Sequence, residues 1–128
     1  MVRPEELRAL FDSQHIYWTE GRTESDWRRL LESSRLLGAR LGETQELVGT
    51  LRLWSDHVYE AKIYDVVVKS ELRGCGVASA LVGWALQDPW ATEVQTVVLE
   101  TRDAEALYRR FGFVTGEEAA TIHLRRRR

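Results

Sequence analysis

The 128-residue chain has little that would commit it to a disulfide framework, a membrane or a nucleic acid. Its single cysteine excludes an internal disulfide, and no apolar run approaches the roughly 20 residues that a membrane-spanning helix needs. The formal net charge of −2 provides no general attraction to nucleic acid or to lipid. The first ten residues carry charges where a signal peptide needs an apolar core. We therefore expect a cytoplasmic protein that binds neither nucleic acid nor membrane.

Metal ligands and domain linkers are also scarce. His15, His57 and His123 are isolated, without the H-x-x-x-H or C-x-x-C spacing of a metal site, so no metal is expected. The chain has two prolines, no Pro/Gly/Ser-rich linker and no internal repeat. We therefore predict a single domain over residues 1–128.

The most informative segment is VVVKSELRGCGVASALVG, residues 66–83. An apolar strand ends in a short polar loop, a glycine-bearing turn follows, and Val77, Leu81 and Trp84 then recur at helical spacing. The pattern predicts a helix from Gly74 to about Gln87, with small residues at its start. Unpaired N–H groups and the helix dipole make such a helix start an anion-binding site.

Three kinds of phosphate loop use this arrangement. A Walker-type loop needs Lys after the second glycine, and none follows Gly76. A dinucleotide fingerprint follows its strand almost directly and has a third Gly or Ala; here a five-residue spacer intervenes and Ser79 takes that position. The third pattern, Arg-x-x-Gly-x-Gly/Ala, is matched by Arg73, Gly76 and Ala78.

That third pattern resembles the acetyl-CoA pyrophosphate loop of the GCN5-related N-acetyltransferases. Downstream, a predicted strand at residues 97–101 precedes AEALYRRFGF, residues 104–113, which is similar to the A-x-x-L-Y-x-x-x-G-F segment of that superfamily. Both motifs occur in the family's order, and the resemblance covers about residues 48–113. Tyr17 and Trp18, followed by Arg22, add a weaker likeness to a subgroup of small acetyltransferases.

The predicted fold is a single α/β domain with a mixed, mostly antiparallel central sheet, splayed at the strand that binds CoA, and helices on both faces. Strands are expected at residues 36–41, 48–54, 59–68 and 96–100, with a final hairpin from 113–114 and 119–124. The strand–helix–strand order at 59–100 implies a parallel crossover. In the second strand Leu51 and Leu53 alternate with Thr50 and Arg52, so we expect one face to be wetter.

The resemblance implies direct attack of an amine on the thioester of acetyl-CoA, the cosubstrate. Backbone N–H groups of the turn would hold the pyrophosphate, and Val66 and Val68 would pair with the pantetheine arm. Thr101 stands where many relatives place a pantetheine-binding Asn. The turn residues expected to bind the cosubstrate are Arg73, Gly74, Cys75, Gly76, Val77 and Ala78.

Tyr108 matches the family's general acid, which protonates the departing thiolate. The alternative is a tyrosine whose ring only packs in the core, as we expect for Leu107, Phe111 and Phe113.

Asp65 is the one charge in the apolar end of its strand, and burial would suit it to act as the general base. The alternative is a structural carboxylate bonded to backbone or to an arginine. Glu60 and Glu100 are further candidates for the base, and the alternative for each is a solvated charge at a strand end.

Acceptor recognition is assigned to Tyr17, Trp18 and Trp54, which would wall a pocket for an ammonium group attracted by Asp56, Glu60 and Asp65. The alternative is that the five tryptophans mostly fill the core. Cys75, with no histidine near it in sequence, is interpreted as a bystander rather than an acyl-carrying nucleophile. Two other functions stay open, a nucleotide-binding enzyme and an acyl-CoA-binding regulatory module. The resemblance also implies a possible homodimer.

Overall fold

A computed structural model describes residues 2–16, 19–101, 104–115 and 121–125. Two helices precede three consecutive strands, and a 3₁₀ turn at Ser70–Leu72 follows the third strand. The elements in order are α1 (Pro4–Ser13), α2 (Glu24–Ser33), β1 (Arg35–Arg40), β2 (Leu47–Ser55), β3 (Glu60–Val68), α3 (Val77–Gln87), α4 (Pro89–Thr92), β4 (Thr96–Glu100), α5 (Glu105–Arg109), β5 (Val114–Thr115) and β6 (Thr121–Arg125).

The strands form one sheet in the order β1-β2-β3-β4-β6-β5. Only β3 and β4 are parallel, and α3 connects them. The remaining neighbours are antiparallel, so the predicted mixed, mostly antiparallel sheet is confirmed. The strand boundaries agree with those predicted to within one or two residues. The turn of the final hairpin, around Gly116, lies outside the described residues.

Helices cover the sheet on both faces, as predicted. On one face α3 packs its apolar residues, among them Leu81 and Ala85, against Leu51 and Leu53 of β2. On the other face α1 and α2 form a second core, in which the rings of Phe11 and Trp27 meet edge to face at 5.1 Å. Apolar area is thus buried on both sides of β2.

The prediction that one face of β2 is wetter is wrong. Thr50 is fully buried, and Arg52 is only 8% exposed. Helices α1 and α2 cover the face of the sheet to which these residues point. The alternation of polar and apolar residues in β2 therefore distinguishes two buried faces, one packed against α3 and the other against α1 and α2, and does not distinguish a buried face from a solvent-exposed one.

The ends of the helices follow from local chemistry. Thr23 caps α2: its hydroxyl accepts from the N–H of Asp26 at 3.1 Å, and the Asp26 carboxylate accepts from the N–H of Thr23 at 2.9 Å. This second bond is the main cause of the lowered pKa of Asp26. Helix α3 begins at Val77, not at Gly74 as predicted, because Gly74 and Gly76 have φ of +82° and +85° and cannot be helical.

Two carboxylates fix the outer parts of the fold. Glu6 of α1 accepts from both terminal nitrogens of Arg40 of β1, at 2.8 and 3.0 Å, and these bonds lower the pKa of Glu6 to about 2. Asp56 closes the β2–β3 turn by accepting from three successive backbone N–H groups, those of residues 58–60. In the described ranges no helix has the length and apolar character to cross a membrane.

Candidate active site

A wedge-shaped opening lies between the second half of β3 and the end of β4. The two strands pair from Glu60 and Thr96 up to Ile63 and Leu99. Residues 64–68 of β3 continue beyond this point and pair with β2 only, with no partner on the β4 side among the described residues. The free edge of β3 therefore faces the opening with backbone groups that a ligand can pair with.

A β-bulge in β3 lies where the strands diverge. Leu51 of β2 alone faces two residues of β3, Asp65 and Val66. Asp65 has φ of +53°, in the left-handed region that Asp and Asn tolerate better than most residues. The bulge bends β3 at the start of its unpaired segment.

The side chain of Asp65 is held by two arginines. Its Oδ2 accepts from Nε of Arg52 at 3.0 Å and from Nη1 of Arg22 at 3.2 Å, and the side chain is 8% exposed. Arg52 also donates from Nη1 to the hydroxyl of Ser34 at 3.0 Å, and its guanidinium lies 4.3 Å from the centre of the Tyr64 ring. These are the contacts of the alternative role stated above, a structural carboxylate bonded to arginine.

The phosphate loop follows β3 after the 3₁₀ turn Ser70–Leu72. After the 3₁₀ turn, the N–H of Arg73 donates to the carbonyl of Ser70 and the N–H of Cys75 to that of Leu72, both at 3.2 Å. These two groups are therefore used inside the loop, which narrows the predicted set of amides that can bind an anion. Within the predicted set, the amides with no acceptor in the described structure are those of Gly74, Gly76, Val77 and Ala78.

The shape and charge of this loop suit a phosphate. A Cβ placed on Gly74 or Gly76 would meet no atom within 4 Å, so open space adjoins both residues. The exposed Arg73 forms no ion pair within the described part of the chain. Lys69, by contrast, is paired with Glu46, which raises its pKa. Arg73 is therefore the cation left to bind a negative ligand at this helix start.

A separate apolar cavity of about 510 Å³ lies beside the loop, between α3 and β1, and not in the wedge. The exposed Cys75 borders it, as does Trp84, which is 75% exposed. Its other walls are Leu37, Gly38, Ala39, Gly76, Val77, Ala80 and Leu81.

Tyr108 is buried in the core cluster of the α3 face. It lies in α5, and its ring meets Phe113 edge to face at a centroid distance of 5.9 Å. Both roles considered for Tyr108 require such packing of the ring, so its action as the acid stays a prediction. Phe113 is buried, and Leu107 and Phe111 pack against the same cluster, as expected.

Thr101 follows the last residue of β4, beside the wedge. Its hydroxyl accepts from the N–H of Ala104 at 3.0 Å, one residue before α5 begins. Thr101 thus helps to start the helix of Tyr108 while keeping its own proton available for donation.

The face of the sheet beside the wedge carries the remaining candidates. Trp54 of β2 is paired with Lys62 of β3 and is 37% exposed, whereas Tyr17 and Trp18 lie outside the described residues. Lys62 donates to Glu100 at 3.1 Å. Glu60 is exposed at the start of β3. Of the four described tryptophans, Trp27 is buried and Trp90 packs against the core while partly buried, whereas Trp54 and Trp84 are exposed.

The structure gives Asp56 a role in the β2–β3 turn. One oxygen of its carboxylate accepts from Val58 at 2.8 Å, Tyr59 at 2.7 Å and Glu60 at 3.0 Å. Hydrogen bonding, with the N–H of Glu60 first, lowers its pKa. Asp56 therefore holds the turn, and because its lowered pKa keeps the carboxylate charged, the attraction of a substrate cation by Asp56 stays a prediction.

Sequence reasoning did not assign Arg22, Arg52 or Tyr64 to the site. For Arg22 the signal was the likeness that it shares with Tyr17 and Trp18. For Arg52 the signal was an arginine inside an otherwise apolar strand, and we interpreted it as solvent-facing. No group of three or more His, Cys, Asp or Glu residues in the described ranges is arranged to hold a metal ion.

The profile of the Acetyltransferase (GNAT) family matches residues 5–113 of the chain. The chain belongs to the GNAT family. Among curated proteins, it is 30% identical over 112 residues to the Uncharacterized N-acetyltransferase ycf52 of Pyropia yezoensis, and a protein of the same name from Porphyra purpurea matches at the same identity. Each alignment covers 85% of this chain and 63% of the relative, so the chain spans less than two thirds of these proteins.

Solved GNAT structures share the fold. A GNAT protein from Xanthomonas campestris pv. campestris superposes with a TM-score of 0.79 at 26% identity, covering 91% of this chain and 80% of that one. A protein from Mycobacterium tuberculosis, solved in complex with CoA, superposes with a TM-score of 0.71 at 22% identity, covering 91% and 70%. The splayed β3–β4 pair thus belongs to a GNAT fold.

Proposed function

We propose that the chain transfers the acetyl group of acetyl-CoA to a primary amine, on a small molecule or a protein, by direct attack of the amine on the thioester. The observation that carries this proposal is the wedge between β3 and β4, which continues through β3 into the phosphate loop. One segment therefore supplies both a slot for an extended arm and an anion site at its end. Membership of the GNAT family supports the same chemistry.

In this proposal the free amides of Gly74, Gly76, Val77 and Ala78, with the guanidinium of Arg73, bind the pyrophosphate. Val66 and Val68, on the free edge of β3, pair with the pantetheine arm. A backbone N–H of this edge polarises the acetyl carbonyl. The hydroxyl of Thr101 contacts the arm from the β4 side. The relative solved with CoA supports a CoA ligand for this fold.

The amine nitrogen forms a bond to the carbonyl carbon, and the carbon–sulfur bond breaks. Tyr108 gives its proton to the departing thiolate, so the products are the acetylated amine and CoA. Most of the rate gain comes from holding the two reactants in line and from stabilising charge on the carbonyl oxygen.

For the proton acceptor we favour Glu100 over Asp65. Glu100 ends β4 at the mouth of the wedge, and its side chain is 66% exposed beside Lys62. Oδ2 of Asp65 already accepts from two arginines. Protonation of Glu100 releases only Lys62, whereas protonation of Asp65 would leave two partly buried guanidinium groups unpaired.

The acceptor side of the site is placed on the open sheet face of Trp54, Lys62 and Glu100, with Tyr17 and Trp18 as further contacts. A homodimer remains part of the proposal, on the family resemblance alone.

A thermal-shift comparison of acetyl-CoA, free CoA and NAD at equal concentration tests the proposal first. A ligand that binds only the native state, at about 100 times its Kd, adds ~2.7 kcal/mol to the free energy of unfolding. We expect both CoA forms to stabilise the protein and NAD to have no effect. A panel of primary amines, read by release of the CoA thiol, then tests for turnover.

Each alternative has its own outcome. Stabilisation by NAD alone would favour the nucleotide-binding enzyme. Stabilisation by CoA with no turnover on any amine would favour the acyl-CoA-binding regulatory module. Absence of any thermal shift with CoA would show that the phosphate loop does not bind the pyrophosphate of CoA.

A further inference from the structure

The bulge at Asp65 has a conformational cost that its surroundings must offset. A residue other than glycine at φ of +53° is uncommon, and such residues persist where the neighbouring structure holds them. Here the bulged residue carries a charge and its side chain is 8% exposed. The side-chain contacts therefore decide whether the bulge forms at this residue.

Those contacts come from three separate parts of the chain. Arg52 lies directly opposite Tyr64 in the β2–β3 register, one residue before the bulge. Its guanidinium lies over the Tyr64 ring, bonds Oδ2 of Asp65 and bonds the hydroxyl of Ser34, which caps the end of α2. A single guanidinium thus fixes the bulge, the residue before it and the end of a helix.

Arg22 adds the connector between α1 and α2. Its Nη1 bonds the same Oδ2 at 3.2 Å, and its guanidinium stacks at 4.7 Å from the ring centre of Trp27, a buried residue of α2. The side chain of Arg22 is 21% exposed, against 10% for that of Arg52. Arg22 is therefore the member of the cluster nearest to solvent, and it ties the connector to the bulge.

We infer that Asp65, Arg52 and Arg22 form a bulge lock, in which Asp65 is a positioning residue that fixes the free edge of β3 against the acyl thioester, and not the proton acceptor. The inference rests on the proposed function for its effect on turnover. The residues that follow the lock, 66–68, are those whose backbone faces the wedge. If the bulge relaxes, these backbone groups move relative to β4, and small misplacements of this kind are costly in catalysis.

The chemistry of Asp65 allows its conformation to be separated from its charge. Asn tolerates the left-handed region at least as well as Asp but carries no negative charge to pair with the two guanidinium groups. Asp65→Asn therefore removes the charge while keeping a residue suited to the bulge. Arg52→Gln removes the partner instead, and Arg22→Gln is the milder variant should either of the first two fail to fold.

The experiment compares Asp65→Asn, Arg52→Gln and their double variant, with Glu6→Gln as the matched control. Glu6 forms a similar partly buried pair with Arg40, but it joins α1 to β1, away from β3 and β4. We expect each single variant to lower kcat by roughly 10- to 100-fold, with a smaller change in KM for acetyl-CoA. The double variant should be no worse than the poorer single one, because both act through one contact.

Backbone hydrogen exchange and the pH–rate profile complete the test. Exchange at residues 64–68 should rise more in the lock variants than in Glu6→Gln. The inflections of the pH–rate profile should stay in place in Asp65→Asn. Loss of the acidic inflection in Asp65→Asn, with normal turnover in Arg52→Gln, overturns the inference and makes Asp65 the proton acceptor.

Two further outcomes also decide the inference. Equal losses in the control and the lock variants, matched by equal losses of stability, overturn it in favour of a purely structural cluster. If the wild-type protein acetylates no amine, the proposed function fails but the exchange measurement still decides the lock. Unchanged exchange at residues 64–68 in Asp65→Asn and Arg52→Gln then overturns the lock itself.

Discussion

The two halves of β3 serve different purposes within one strand. Residues 60–63 pair with β2 on one side and β4 on the other, and their turn is secured by Asp56. Residues 64–68 pair with β2 alone, contain a bulge and depend on two arginines. The first half is regular and stabilises the sheet. The second half gives up pairing on one side, and this unpaired edge creates the site.

We call residues 64–68 of β3 the open half and residues 60–63 the closed half. The largest expected effect is on the acetyl transfer proposed to occur beside the open half. Replacing Tyr108 by Phe removes the proposed proton donor but keeps the ring that packs against Phe113. Loss of a general acid costs about 10²–10⁴-fold in rate. We expect kcat to fall by this order while the Kd of CoA, measured by calorimetry, stays nearly constant. Tyr59→Phe, at an exposed position, is the control, and equal rates in both variants would remove the acid role from Tyr108.

A second prediction contrasts stability in the two halves. Ile63 is 4% exposed and pairs on both sides, so Ile63→Ala should lower the free energy of unfolding by ~2–5 kcal/mol. Val68 is half-buried in the open half, and Val68→Ala should cost less. Urea denaturation of both variants measures the difference. A larger loss at Val68 would mean that the open half also carries the stability of the sheet.

A third prediction separates binding from stability at the end of the open half. A charge-assisted hydrogen bond contributes about 1.5–3 kcal/mol, so Arg73→Glu should raise the Kd of CoA by about 10-fold or more. Stability without ligand should not change, since Arg73 is exposed. Arg29→Glu makes the same change of charge on an exposed face of α2 and should leave the Kd unchanged. Equal effects of the two variants would indicate a general effect of charge rather than a site.

The smallest expected effect lies in the closed half and depends on pH. Hydrogen bonds, first from the N–H of Glu60, hold the pKa of Asp56 below its ordinary value in the folded state. The stabilisation is therefore present above the ordinary pKa of Asp and is lost as the pH falls through the lowered one. The difference in Tm between wild type and Asp56→Asn should shrink from pH 6 toward pH 2.5. A constant difference would show that titration of Asp56 is not linked to folding.

Much of this architecture follows from the sequence. Alternating and apolar runs locate the strands, and the two motifs locate the phosphate loop and the helix of Tyr108. The bulge at Asp65 was not predicted. A glycine or asparagine in a strand can indicate a left-handed residue, but Asp adopts the same conformation and gives no such signal in the sequence. The burial of Thr50 and Arg52 was missed for another reason. A strand covered on both faces by separate helices keeps its alternation of polar and apolar residues, and only tertiary packing shows that both sets are buried.

The error at the start of α3 has a related cause. The helical spacing of α3 can be extended back to Gly74. The helix nevertheless begins only after Gly76, because the positive φ angles of Gly74 and Gly76 are not helical.

The two left-handed glycines of the phosphate loop also limit which amino-acid substitutions the protein tolerates at these positions. Open space adjoins Gly74 and Gly76, so their solvent accessibility alone would suggest that both positions tolerate substitution. Their backbone angles are unfavourable for most side chains with a Cβ, so most missense changes there are penalised as in a protein interior. A saturation library read by abundance and CoA binding would therefore show two intolerant positions within an exposed turn.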